Sequence, residues 1–451
     1  MTSYLDDIDI LLSLGVAAAL YVIGLVLIKL NNQRGGAAFL TKLFTAAFLL
    51  RVGAVFGVYF FLISAGGDGY VIDDDRSYNR TALEIAAALE ERRPAFKQYG
   101  SGFVNIAYFN LNGFLYHYLN FDTLTMRILN SFFGAIAVLL VFKIMLQLFD
   151  SRTAKIAAIL CAFIPNMIFW SASQVKDPLI ILCTMAIIYL LVCRFRRGFS
   201  LLSAIAYLFF MFLLWHLRKD FCFPLIAVSL VWIVFRYTAI SRYFDNARRA
   251  TAMKIAILCV LSLPLLLGLG MTGAGEKFLG TMIQFNEFQK ALSVPESSGT
   301  RVGFSRYLRV VSAGDFYKLP PAMAFTAISP LPVFTTNANP ASYGTLIYST
   351  ANIFLVFMMP FIALGLFKFK SPNMQFTDEL LVRWLPLITL ASISIIYMGI
   401  PRYKASIVPY FLMWAALGWR YRKKNHSLLL MLYGISIVGV LGAVLLATML
   451  R

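Results

Sequence analysis

The chain has 451 residues, of which 60% are hydrophobic and 14% charged. An ordinary soluble domain carries roughly 25% charged residues, and polar surface could not cover a core this size. Soluble enzymes, disordered chains and small disulfide scaffolds are excluded, and a polytopic membrane protein remains. With 40 Lys and Arg against 21 Asp and Glu, the net charge is +19. An excess of basic residues in cytoplasmic loops explains that balance more simply than nucleic-acid binding does.

About twelve runs reach the ~20 apolar residues that a span needs, and the predicted fold is an all-α membrane bundle, one transmembrane domain over 1–450. The runs fall near 9–29, 39–64, 127–149, 154–174, 178–195, 199–217, 221–237, 252–271, 346–367, 382–400, 403–419 and 427–450. The start, with Asp6, Asp7 and Asp9, lacks a basic n-region and a small-residue cleavage site, so the first run reads as a span and not a signal peptide. Arg51, Lys143 and Asn166 fall inside spans or near their ends, where they pair internally or snorkel.

A long loop, 65–126, follows the second run, and Asp73-Asp74-Asp75-Arg76-Ser77-Tyr78 is its strongest cluster. Adjacent carboxylates repel one another unless cations, a metal or donors offset them. Such a cluster supplies a general base or holds a hard cation. The plainer reading is an acidic loop tip with Asp75 capping the next helix. Arg76 and Arg80 neutralise the cluster or bind an anionic ligand. Thr81–Glu91 reads as a short helix, and Asn79-Arg80-Thr81 matches a glycosylation sequon that is common by chance. Residues 102–120 are aromatic but interrupted by Asn105, Asn110, Asn112 and Gly113, too polar to span and suited to an interfacial or re-entrant position.

Lys176-Asp177-Pro178 opens the fifth run. Asp before Pro is a good N-cap with Pro at the first helical position, while Lys176 and a helix N-terminus favour an anion. His216, Arg218, Lys219 and Asp220 lie in the short connection between the sixth and seventh runs. The second long loop, 272–344, carries Pro320, Pro321, Pro330, Pro332 and Pro340 and reads as a cap. Arg402-Tyr403-Lys404 follows Pro401. The five cysteines and three histidines show no zinc, redox or other metal-ligand spacing, and no Walker, dinucleotide or zinc-protease motif is present.

Basic residues fill alternate connections: Lys29, Arg34 and Lys42; Arg152 and Lys155; Arg194, Arg196 and Arg197; Arg236 to Lys254; Lys368 and Lys370; Arg420 to Lys424. These are read as cytoplasmic, which places both termini and both long loops outward. The cations at 216–219 and 402–404 then run against the bias. Snorkelling accounts for each alone. Together, facing carboxylates, they suit a phosphate carried on a lipid.

The order of these features resembles the GT-C superfamily of integral-membrane glycosyltransferases, nearest its protein mannosyltransferase and aminoarabinose transferase type. Asp74-Asp75-Arg76-Ser77-Tyr78 resembles that family's Asp-Glu-x-x-Tyr, Arg127 to Gly134 the start of its next span, Asp177-Pro178-Leu179 its second acidic site, and Pro401-Arg402-Tyr403 with Pro409 its late Arg-Tyr segment. The similarity covers roughly 45–420. An extra leading span, an Asp where Glu is common and the lack of a large soluble C-terminal domain are departures, and the last argues against the larger oligosaccharyltransferases.

The resemblance implies an inverting transfer of sugar from a polyprenyl-phosphate donor to a hydroxyl of a lipid, glycan or protein, at the periplasmic face of a bacterial inner membrane. It implies catalytic carboxylates at Asp74, Asp75 and Asp177, with Asp74 as general base, although Asp73 and Asp75 stay open as alternatives. It implies substrate contacts from Asp73, Arg76, Tyr78, Lys176, His216, Arg218, Lys219, Arg402, Tyr403 and Lys404. No cofactor is certain; a divalent cation held by Asp177 and a member of the acidic triplet is left open. Two other readings stand beside it. An outer-leaflet polysaccharide polymerase or ligase would centre on loop arginines without a first-loop acidic pair. A transporter or flippase would carry charges deep in mid-span and short loops on both sides.

Overall fold

The computed structural model describes residues 9–31, 36–92, 106–198, 200–236, 253–254, 313–329, 343–370, 374–396, 401–422 and 433–434. Every regular element among them is a helix. In chain order these are α1 (Ile10–Asn31), α2 (Ala37–Ser64), α3 (Asp73–Glu90), α4 (Ile106–Leu119), α5 (Thr123–Leu148), α6 (Ser151–Phe163), α7 (Pro165–Ser171), α8 (Asp177–Tyr189), α9 (Leu201–Leu217) and α10 (Lys219–Arg236). They continue with α11 (Leu319–Ile328), α12 (Tyr343–Phe367), α13 (Phe376–Glu379), α14 (Leu385–Ile396) and α15 (Val408–Tyr421). A π-turn extends α8 through Leu190–Arg194, and a 3-10 segment, Pro401–Ile407, leads into α15.

Among the described residues five helices are long and apolar enough to cross a membrane: Ile10–Leu30, Ala37–Ser64, Thr123–Leu148, Asp177–Arg194 and Ser349–Phe367. The pair α6 and α7 passes the same test together but is bent by 53°, as in a broken span or a re-entrant loop. Shorter helices, α9, α10, α14 and α15, occupy the expected runs at 199–217, 221–237, 382–400 and 403–419. The runs at 252–271 and 427–450 lie, but for isolated residues, outside the described part.

Helix α5 is the axis of the bundle. Asp122 caps it by accepting from Thr125 N at 2.7 Å, and it packs against α1, α2, α6 and α8. It and α8 are buried on nearly every side, whereas α1 leaves Leu11, Leu14, Val22 and Leu30 exposed, as a helix bathed in lipid would. Helices α12 and α15 cross with their backbones in contact, because a Cβ on Gly365 would overlap Trp414 O and one on Gly418 would overlap Phe361 O.

The fourth run breaks at Pro165, which has no N–H to offer Cys161 O. Arg51, in the middle of α2 and fully buried, takes over that role. Its Nη2 donates to Cys161 O and its Nη1 to Ala162 O, both at 3.0 Å, while Nε donates to Ser171 Oγ at 3.3 Å. Gly134 of α5 leaves room for this guanidinium, since a Cβ there would meet Ser171 Oγ and sit 3.0 Å from Arg51 Nε.

A helix of 26 residues is roughly 39 Å long, so the two ends of α5 mark two ends of the bundle. Among the described residues, the connections around Arg152, Arg194, Lys368 and Arg420 gather at the Leu148 end. Asp150 lies within electrostatic reach of Arg420, Phe149 packs on Phe369, and Cys193 donates to Lys143 O. At the Thr123 end α3 and α4 pack together as a helical pair. One expectation changes there. The helix expected over 81–91 begins at Asp73 and is capped by Ile72, so Asp75 is its third residue and not its cap; acids in a first turn are favoured by the helix dipole. Residues 106–119 form one unbroken helix, with Asn112 buried inside it.

Candidate functional site

The acidic triplet splits between water and protein. Asp73 and Asp74 are exposed in the first turn of α3. Asp73 pairs with Arg76 at 3.3 Å, and Arg76 also pairs with Asp68 at 2.5 Å. Asp75 turns inward and is fully buried. Its Oδ2 accepts from Val71 N at 3.0 Å and from Arg127 Nη2 at 2.7 Å, and its Oδ1 accepts from Gln174 N at 2.8 Å. Arg127 also donates to Gly69 O at 2.9 Å, and the rings of Tyr59 and Tyr70 lie 5.9 and 6.0 Å from its guanidinium carbon.

Gln174 belongs to the turn 172–176 between α7 and α8. The sequence expectation made Asp177 the cap of the helix that follows, but Lys176 is the cap and Asp177 the first helical residue. The Asp177 carboxylate is therefore available to Arg218, whose Nη2 donates to Oδ1 at 3.2 Å with both side chains buried. Lys176 Nζ donates to Leu217 O at 3.0 Å, which ties the same turn to the α9–α10 junction.

Arg218 lies over the ring of Tyr403, 4.6 Å from its centroid. Tyr78, one turn beyond Asp75 on α3, packs edge-on against Tyr108 at 4.9 Å and against Phe109 at 4.8 Å. Burial pushes its phenol far above the usual range; Asp177 and Tyr108 add to the rise, and Arg218 opposes it. Tyr78, Asp177, Arg218 and Tyr403 thus share one electrostatic neighbourhood, with Lys176 at its edge. A buried arginine beside a carboxylate and two phenols can bind an anion and order hydroxyl groups around it.

Other expected site residues point elsewhere. Lys404 is fully buried, and its Nζ donates to Ala327 O at 3.0 Å and to Ser329 O, at the C-terminal end of α11. His216 packs edge-on against Phe212 at 4.5 Å. The side chains of Lys219 and Arg402 lie outside the described residues. Asn79 of the sequon is 8% exposed, donating to Tyr70 Oη at 2.6 Å and accepting from Tyr116 Oη at 2.5 Å, so it is not presented for glycosylation.

Among the described residues no group of three metal-ligating side chains gathers. Asp75 and Asp177 each face an arginine. Arg127, Asn130 and Gln174 were missed as site residues. A signal was readable: Arg127, Asn130, Ser131 and Gly134 recur at the spacing of one helical face, and a polar stripe on an otherwise apolar span needs partners.

An apolar groove of about 420 Å³ lies between α2, α7 and α12, lined by Ala54, Val58, Phe169 and Phe354 among others, and it reaches Ala172 at the head of the 172–176 turn.

No family model matches this sequence, and no curated protein matches it. Among solved structures, the oligosaccharyltransferase AglB from Archaeoglobus fulgidus, in complex with an inhibitory peptide and a dolichol-phosphate, aligns over 84% of this chain and 50% of its own, with a TM-score of 0.47 and 14% identity. The Archaeoglobus fulgidus oligosaccharyltransferase in its apo form aligns over 83% and 50%, with a TM-score of 0.44 and 15% identity. The chain spans about half the length of these neighbours.

Proposed function

We propose that the chain is a membrane glycosyltransferase that moves a sugar from a polyprenyl-phosphate donor to an acceptor hydroxyl at the outer face of the membrane. One observation carries the reading: the buried Asp177–Arg218 pair, flanked by Tyr78 and Tyr403, sits against the helix whose first turn exposes Asp74.

In this mechanism Asp74 takes the proton of the acceptor hydroxyl. The acceptor oxygen attacks the anomeric carbon from the face opposite the phosphate and forms the new C–O bond. The bond from that carbon to the phosphate oxygen breaks, and polyprenyl phosphate leaves with the electron pair. The configuration inverts, and the proton ends on Asp74. A phosphate monoester with a second pKa near 6 leaves readily, so charge stabilisation matters more than acid help. Arg218 supplies it, held in place by Asp177 and by the ring of Tyr403, with Lys176, Lys219 and Arg402 in the neighbouring connections. The apolar groove ending at Ala172 suits the first isoprene units of the donor. The acceptor is the hydroxyl of a lipid, a glycan or a protein, and the bacterial inner membrane is the proposed location.

The transporter reading predicts charge deep in a span, and Arg51 is such a charge. Its guanidinium is committed to backbone carbonyls and Ser171, which makes it a structural element and not an ion site. The test is a transfer assay with purified protein and labelled polyprenyl-phosphate sugars. Wild type is expected to release polyprenyl phosphate, and Asp74→Asn and Asp177→Asn to lose turnover. Turnover by Asp74→Asn equal to wild type would remove the proposed base, and no release by wild type from any such donor would remove the reading itself.

A further inference from the structure

The ends of the turn 172–176 join the flanking helices, with Ala172 N donating to Ile168 O and Lys176 O accepting from Ile180 N, but its middle leaves peptide groups outside any helix where the protein surrounds them. Buried peptide groups need partners, and Asn130 and Asp75 provide them, while Ser131 secures the end of α7. Asn130 Nδ2 donates to Ser173 O at 2.7 Å and to Val175 O at 2.9 Å. Ser131 Oγ donates to Ser171 O at 3.3 Å. Asp75 Oδ1 accepts from Gln174 N. Asn130 and Ser131 stand three and four residues after Arg127, on the same face of α5, and Arg127 holds Asp75. One face of α5 therefore fixes two things at once: the first turn of α3, which carries Asp74, and the turn that delivers Asp177 to Arg218.

Asp75 itself is badly placed for proton transfer. Its two oxygens already accept three hydrogen bonds from protein donors, one from a buried guanidinium, and neither oxygen reaches the surface. We infer that Asp75, clamped by Arg127, is a positioning residue that sets Asp74 against the Asp177–Arg218 pair and takes no proton from the acceptor. This role rests on the glycosyl-transfer reading for its chemical meaning, although the clamp stands as a structural claim alone. A displacement of about 1 Å at a reacting group costs about 100-fold in rate, which sets the size of the effect.

The experiment uses the full chain in lipid nanodiscs, comparing wild type with Asp75→Asn, Asp75→Glu, Arg127→Gln and the double variant Asp75→Asn/Arg127→Gln. Two readouts are taken: the pH profile of turnover on the labelled polyprenyl-phosphate sugar that wild type uses, and hydrogen exchange of the peptide covering 172–177. The expected result is a loss of about 100-fold in turnover for Asp75→Asn and for Arg127→Gln, no further loss in the double variant, partial recovery in Asp75→Glu and an unchanged pH profile. Exchange at 172–177 should rise in Asp75→Asn and Arg127→Gln while the peptide around Asp150 keeps its wild-type rate, which shows that the fold is intact. Arg127→Lys replaces either variant that does not fold. A pH profile that loses its acidic limb in Asp75→Asn would make Asp75 the base and overturn the inference, as would unchanged exchange at 172–177. If wild type transfers no sugar, the proposed function falls while the exchange measurement still decides the clamp.

Discussion

At the Thr123 end of the bundle, carboxylates are buried against arginines supplied from 52 and 41 residues away, Asp75 with Arg127 and Asp177 with Arg218. At the Leu148 end the acids cap the helices they belong to. Asp150 is exposed and caps α6, accepting from Arg152 N and from Thr153 N and Oγ1. Asp378 is buried, but it closes a capping box with Gln375, accepts from Trp232 Nε1 at 3.1 Å and lies 3.9 Å from Arg196. A local cap stabilises the helix it belongs to. A buried ion pair between distant segments gives back in attraction about what it loses in desolvation. The pairs of the first end thus join distant segments alone, whereas at the second the acids also cap their own helices.

The strongest way to break this contrast is to strand one charge. Arg218→Leu leaves Asp177 buried without its partner and should destabilise the protein by about 3–5 kcal/mol, read as a lower melting temperature in detergent. Adding Asp177→Leu should restore most of that stability while transfer stays lost; lasting instability in the double variant would show that the pair is structural. Arg51→Leu, remote from the acids, leaves two carbonyls at the helix break without donors and should cost about 3 kcal/mol by the same measurement.

Smaller effects sharpen the comparison. Asp150→Ala should cost about 1 kcal/mol as a lost cap. Burial pushes the Asp150 carboxyl up, but donors from Thr153 and Arg152 outweigh it and hold the carboxyl below its ordinary range. With the folded value depressed, the contribution is present at neutral pH and fades below about pH 4; stability scans of wild type and Asp150→Ala should converge as pH falls. Smallest is Arg80→Ala, which removes an exposed 3.4 Å pair with Glu84 on α3 and should change stability by less than about 0.5 kcal/mol. A larger loss would mean that position at the site end matters even for solvated charges.

The apolar spans were the most legible part of the sequence. Runs at 39–64, 127–149 and 346–367 became Ala37–Ser64, Thr123–Leu148 and Tyr343–Phe367, because a helix in lipid satisfies its own backbone and needs no partner to be specified. The break at Pro165 was visible as a proline inside the run 154–174 but carried no weight beside its hydropathy. The acids of 73–75 and 177 were legible as chemistry and illegible as roles. Which of three adjacent aspartates turns inward depends on Arg127 and Gln174, and that pairing exists only once α5 and the 172–176 turn meet. The environment of Lys404 was illegible for the same reason. Its neighbours in sequence suggest a phosphate contact, and its neighbours in space are the carbonyls of α11.

Arg51 has one more consequence, in the order of synthesis. Its helix emerges about 110 residues before the carbonyls that receive it. An unpartnered arginine at the middle of a span costs about 2.5–3.5 kcal/mol on insertion. Until Cys161 and Ala162 have left the ribosome, the guanidinium has Ala47 O of its own helix as a partner, and the apolar residues of α2 must offset the rest of that cost. A chain truncated before Pro165 should therefore insert α2 less completely than the full chain does.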